Sequence, residues 1–193
     1  MLLTVETPPA AEPVTLAEAK AHLRVLHASE DALITRLIAA VRSTVERTLG
    51  RALIPQPLNS WLRASPAPAR IPPPRPPLRS VASITYRDLD DANQTLAADS
   101  YVVIGEDLLR ARVERAAGAS WPATFTTPKA VKVTYDAGYG GASTDVPEDL
   151  RNALLLMVEH LYYNRGASSD ARLEAIPFGV DAMLDPFRTH GWI

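Results

Sequence analysis

Val14-Thr15-Leu16-Ala17-Glu18-Ala19-Lys20-Ala21-His22-Leu23-Arg24-Val25, followed by the long amphipathic run from Glu30 to Leu49-Gly50, decides how this chain is read. Thr15 stands three residues before Glu18. Its hydroxyl can accept the third backbone N–H of a helix while the Glu18 carboxylate reaches back, so a helix is predicted to open there. Leu16, Ala19 and Leu23 share one face of it. A second helix is predicted from Ser29 as cap, with Glu30 and Asp31 where the positive end of the helix dipole favours acids. Its apolar stripe is Leu33, Ile34, Leu37, Ile38, Val41, Val45 and Leu49, at a 3.6-residue period. Gly50 closes it as a left-handed cap. At 1.5 Å per residue the second helix is a rod of roughly 30 Å.

Working outward, the next stretch changes character. Nine of the seventeen prolines fall between Pro55 and Pro77. Proline fixes φ and lacks an N–H, so this stretch is expected to be neither helix interior nor central strand, but an extended connector or arm. From Pro55 to Ser80 the charges are Arg63, Arg70, Arg75 and Arg79, with no acid among them. A solvated polyproline-like loop is the plainer reading, and a basic arm touching DNA or an acidic partner the alternative. Beyond Arg79 the period shifts toward two. Ser80 to Arg87 reads as a strand, Asp88 to Asn93 as a turn cluster, and Tyr101 to Ile104 with Leu108 to Val113 as a hairpin. In the last strand Val131, Val133 and Tyr135 alternate with Lys132 and Thr134.

Asp136-Ala137-Gly138-Tyr139-Gly140-Gly141 ends the strand region. No Gly-Lys-Ser/Thr follows, so a turn is favoured over a phosphate cradle. Pro147, Glu148 and Asp149 then open a helix. Its core stripe is read as Leu150, Leu154, Met157, Val158 and Leu161. Leu155, Leu156, Tyr162 and Tyr163 fall largely outside that stripe, so either the helix is buried all round or Leu155, Tyr162 and Tyr163 form a subunit interface. The segment from Gly166 to Ile193 loads Ile176, Phe178, Val180, Met183, Leu184, Phe187 and Trp192 among Pro177, Gly179, Pro186 and Gly191. So much apolar surface needs cover, either its own domain or a partner.

The chain of 193 residues carries a net charge of -2 and no cysteine. No global field favours nucleic acid, membrane or acidic substrates, and disulfides and thiolate metal sites are excluded. No secretory or membrane-spanning segment is read, so the expectation is a soluble protein made in the cytoplasm. His22, His27, His160 and His190 lack ligand spacing, and Ser120 lacks a nucleophile elbow. No catalytic, cofactor or metal residue is expected, and the protein is expected not to be an enzyme.

These elements in their order resemble the head-tail connector, or adaptor, family of long-tailed phages and gene transfer agents. The likeness rests on the Val14 to Val25 stretch and on Glu30-Asp31-Ala32-Leu33-Ile34 with Leu37-Ile38. It continues through Val45-Glu46 before Leu49-Gly50-Arg51-Ala52-Leu53, the proline-led strand Pro77 to Tyr86, and Val131 to Tyr139. Val146-Pro147-Glu148-Asp149-Leu150, Tyr163-Asn164-Arg165 and Leu184-Asp185-Pro186-Phe187-Arg188 complete it.

The resemblance implies an α+β fold, expected to be mainly helical. An N-terminal helix pair (1–53) leads to a proline-rich extended segment (54–80), a small inserted antiparallel β region (81–141), a helix (146–165) and an extended tail (166–193), all in one connector domain. It also implies a ring of twelvefold symmetry beneath the portal, continuing the DNA channel toward the next head-completion or tail protein. Passing DNA would be met without sequence specificity, in the neck of a virion or phage-like particle and away from membranes. The tail, with Ile176, Phe178, Val180, Met183, Leu184, Phe187 and Trp192, would bind the portal. The rival is a helix-turn-helix DNA-binding protein, disfavoured because Glu30 and Asp31 open the helix that would meet phosphates.

Overall fold

A computed structural model describes residues 2–63, 70–105, 111–164 and 178–188. They form two compact units, one of Met1–Ala10 with Pro55–Tyr139, the other of Ala11–Ile54 with Gly140–Ile193.

The second unit holds the helices α1 (Leu16–Leu23), α2 (Asp31–Leu49), α3 (Glu148–Tyr163) and α4 (Phe178–Leu184). Thr15 caps α1 as its spacing predicts. Its hydroxyl accepts from the Glu18 N–H at 3.2 Å while the Glu18 carboxylate accepts from the Thr15 N–H at 2.8 Å. Ser29 does not cap α2. Its hydroxyl is taken by His27 Nδ1 at 2.7 Å, and the cap residue is Glu30, which makes no side-chain cap bond. Gly50 has a φ of 66°, the left-handed ending expected of it. That turn brings the chain back onto α2, so the buried Glu46 carboxylate accepts from the Leu53 N–H at 2.9 Å and from Arg42 at 3.1 Å. The core of this unit is the α2 stripe Ile34, Ile38, Val41, Val45 and Leu49 packed with Leu150, Leu154 and Val158 of α3.

The described part of the first unit has eight strands and one 3₁₀ turn, Ala98–Ser100: β1 (Leu2–Val5), β2 (Gln56–Leu62), β3 (Arg70–Ile71), β4 (Leu78–Arg87), β5 (Asn93–Thr95), β6 (Tyr101–Ile104), β7 (Arg112–Arg115) and β8 (Val131–Ala137). They make a five-stranded antiparallel sheet of order β1-β2-β8-β4-β5 and a three-stranded one of order β3-β7-β6. On β8 the alternation holds throughout, with Val131, Val133, Tyr135 and Ala137 buried and Lys132, Thr134 and Asp136 half-buried. Ile71 from the small sheet and Ile84 and Val131 from the large one line a single gap, so the two sheets share a core there.

Two expectations are corrected. The protein is not mainly helical: the described residues are 36% helical and 25% strand, in four helices and eight strands. The proline-rich stretch also supplies a central strand, because β2 is flanked by β1 and β8. Pro57 is tolerated by its place in the ladder. Its carbonyl accepts from the Glu6 N–H at 3.0 Å, just past the end of β1. In an antiparallel ladder the N and C=O of one residue face the same neighbour, so the missing N–H falls where β1 has stopped and β8 loses nothing.

Candidate functional site

The surfaces expected to do the work lie on α3 and the segment after it. On α3 the buried positions are Leu150, Ala153, Leu154, Met157, Val158 and Tyr162. Tyr162 is therefore an interior residue of its own chain, and its hydroxyl donates to Glu30. Leu161 takes the opposite role and is 38% exposed. Helical phase alone does not give this exchange, since 161 lies four residues after the buried Met157; Tyr162 is held inward by its bond to Glu30 at the start of α2. Leu155 is half-buried and Tyr163 is 63% exposed, so these two of the three expected interface residues are presented outward. Tyr163 stands edge-on to Tyr162, ring centres 5.2 Å apart.

The expected extended tail contains α4 and a 3₁₀ turn, Asp185–Phe187. Val180 and Leu184 are buried at 1% and 0% exposure, where α4 packs on α3, while Met183 is 37% exposed. Four residues separate Val180 from Leu184, one helical turn, so they face the same way and Met183 does not. Phe187 is half-buried. Its carbonyl accepts from Arg51 Nε. Arg188 pairs with Asp181 and Asp185 and so ties the turn to α4. Ile176, Trp192 and the side chain of Phe178 lie outside the described residues. A cleft of about 360 Å³ runs between the end of α3 and the start of α4, lined by Leu156, His160, Tyr163 and Gly179 among others.

Charge is largely paired on this unit. Arg151 of α3 holds both Glu148, at 2.6 Å, and Glu18. Partial burial works to raise the Glu18 pKa, but the Thr15 N–H and hydroxyl, with Arg151 beside them, hold the carboxyl below the usual range. Lys20 meets Asp31 at 2.6 Å and His22 meets Glu159 at 3.0 Å. Asp31 is thus spent on Lys20 and Glu30 on Tyr162, which leaves the start of α2 acidic and structurally engaged, unlike a helix end that meets phosphates. In the strand unit, burial pushes the Tyr135 phenol well above its ordinary pKa, with Arg75 opposing, and its hydroxyl donates to the Pro74 carbonyl. It anchors the proline run. Among the described residues no group of acids and histidines could hold a metal ion, and no helix is long and apolar enough to cross a membrane.

Sequence reasoning missed the buried Glu46 and Arg51, and the bond from Tyr162 to the half-buried Glu30. The one available signal was Arg42 and Glu46 at i and i+4 on a face otherwise read as apolar.

The family model for head completion proteins matches residues 13–188. The chain belongs to the head completion protein family, and its expected place among the head-tail connectors is borne out. No curated protein matches it. Among solved structures it is similar to a chain in the virion of a native gene transfer agent particle, at 27% identity and a TM-score of 0.81, covering 100% of this chain and 98% of that one. It is similar to a chain in the neck of the native particle computed with C12 symmetry, at 26% identity and a TM-score of 0.79 with the same coverage. A third likeness, to the neck of the empty particle computed with C6 symmetry, is 24% identical at a TM-score of 0.81, covers 100% of this chain and 98% of that one, and speaks to the fold.

Proposed function

We propose that this protein is a ring-forming head-tail connector of a phage-like particle, seated between the portal and the next head-completion or tail protein and acting by assembly, not by catalysis. The observation that carries the reading is the end-to-end likeness, at 27% identity, to a chain of a gene transfer agent virion. The C12 neck with which the chain also shares its full length supports a twelvefold ring around the DNA path. In this reading passing DNA is met without sequence specificity. Tyr163 and Leu155 supply lateral contact between copies, with Leu161 beside them. Met183 and the terminal residues beyond Arg188, Trp192 among them, face the portal together with Ile176 and Phe178, while Val180 and Leu184 support them from within. Phe187 is shared between the two roles.

A deletion strain tests this. Particles made without the protein are expected to have heads but no tails, and complementation is expected to restore them. Normally tailed, transfer-competent particles from the deletion strain would overturn the reading.

A further inference from the structure

Leu26 and Leu89, 97% and 67% exposed, are the most exposed large apolar side chains among the described residues, and they belong to different units of the chain. Leu26 rims an open groove of about 800 Å³ along α1, floored by Leu16, Ala17, Ala21 and Val25. The left-handed Arg24, φ 58°, turns the chain at the end of α1 and leaves Leu26 projecting. Two cations flank the floor. Lys20 is neutralised by Asp31, whereas Arg24 has no acid partner among the described residues.

Leu89 stands at the tip of the β4–β5 hairpin. The tip is built to hold its shape. The Asp88 carboxylate accepts from the Asp90 N–H at 3.0 Å, the Ala92 N–H at 2.9 Å and Gln94 Nε2 at 2.9 Å. The Asp88 N–H in turn donates to the Ala92 carbonyl at 3.0 Å. Asp91 pairs with Arg87 at 3.1 Å and the Asp88 carboxylate is taken up by its three N–H donors, so among the described residues Asp90 is the tip acid whose side chain has no partner. A rigid apolar knob beside a free acid is therefore carried by the same chain as an apolar groove beside a free guanidinium.

We propose that the Leu89 hairpin tip of one copy seats in the α1 groove of the next copy, with Leu26 closing over it and Asp90 facing Arg24. A knob already held in shape loses little freedom on docking. The two patches are different surfaces, so the contact is heterologous and repeats head to tail until the rotation closes into a ring. A self-paired contact of two hairpin tips would bring Asp88, Asp90 and Asp91 of both copies together and is disfavoured by repulsion. The inference rests on the connector reading, since it adds a second lateral contact to such a ring, besides the one proposed for α3.

The chain has no cysteine, which makes the test direct. Particles assembled with a Leu26→Cys/Leu89→Cys chain are purified, oxidised, denatured and probed for this chain on a non-reducing gel. The expected result is a ladder of cross-linked multimers, with Leu26→Cys alone and Leu89→Cys alone remaining monomeric. Both positions are exposed, so neither substitution disturbs a core. A chain present in the necks but monomeric, bridged within itself, or dimerised by either single cysteine would overturn this contact while leaving the connector reading intact. Absence of the wild-type chain from necks would remove the connector reading, and this contact with it. A second measurement uses charge: Arg24→Asp is expected to cut incorporation into particles several-fold, and Asp90→Arg in the same chain to restore it. Equal loss in the double variant would count against the pairing.

Discussion

The guanidinium of Arg51, only 3% exposed, donates from Nε to the carbonyl of Phe187 and lies 6.0 Å from the centre of that residue's ring. Arg51 immediately follows the left-handed Gly50 at the end of α2, so one side chain joins the first helical block to the last described turn. Arg51→Met keeps much of the volume and removes the charge-assisted bond. It is expected to lower stability by about 1.5–3 kcal/mol, the range for hydrogen bonds to charged groups, measured by chemical denaturation. An unchanged midpoint would mean the turn is held without Arg51.

Neighbouring tyrosines on α3 should behave oppositely. Tyr162→Phe deletes the hydroxyl that donates to Glu30, whose side chain is 24% exposed and open to some rehydration. The loss is placed at the low end, about 1.5 kcal/mol of stability. Tyr163→Ala, at a 63% exposed position, should leave stability within about 0.5 kcal/mol. In our reading of the ring it should instead reduce the amount of chain found in purified particles. Reversal of these two phenotypes would exchange their roles.

The helical half was legible because its signals are local. The Thr15–Glu18 capping box, the α2 stripe and Gly50 each lie within a few residues of the bonds they make. In the strand half β8 was legible by its uninterrupted alternation, and β4 and β6 by their β-branched and aromatic runs. β1 and β2 escaped because their pairing is between residues more than fifty positions apart, such as Val5 with Leu58, and because Pro57 in isolation argues against a central strand. Its tolerance depends on where β1 ends. The same limit explains α3: Leu161 and Tyr162 are both apolar and adjacent, and Glu30, the partner that draws Tyr162 inward, is 132 residues away. The Ser29 cap failed for a local reason, since His27 captures its hydroxyl first.

Acid should weaken the α1 cap in a defined direction. The Glu18 carboxyl is held below its ordinary 4.5 in the folded chain. A group with a depressed folded pKa contributes stability that is fully present above the unfolded value and is lost as pH falls through the folded one. Glu18→Gln should therefore be less stable than the parent at pH 7, and the gap should close as both are titrated below about 4.5. Thr15→Ala removes the reciprocal half of the box and should cost about 1 kcal/mol at pH 7. Parallel stability curves for parent and Glu18→Gln across that range would show that the carboxylate contributes nothing.

Two truncations separate what the C-terminal segment does for its own chain from what it does for a partner. Removing residues 178–193 strips Val180 and Leu184 from the core, two side chains whose burial is worth about 1.5–3 kcal/mol each. Against a domain stability of about 5–15 kcal/mol, that chain should be marginal or unfolded at 37 °C. Ending the chain after Arg188 instead keeps α4, the Arg51–Phe187 contact and the Arg188 pairs with Asp181 and Asp185. Its thermal midpoint should match the parent. If the terminal residues with Trp192 reach the portal, this shorter chain should nonetheless fail to attach to portal-bearing heads in a co-sedimentation assay. Full attachment with an unchanged midpoint would move the portal contact to Met183 and the residues before it.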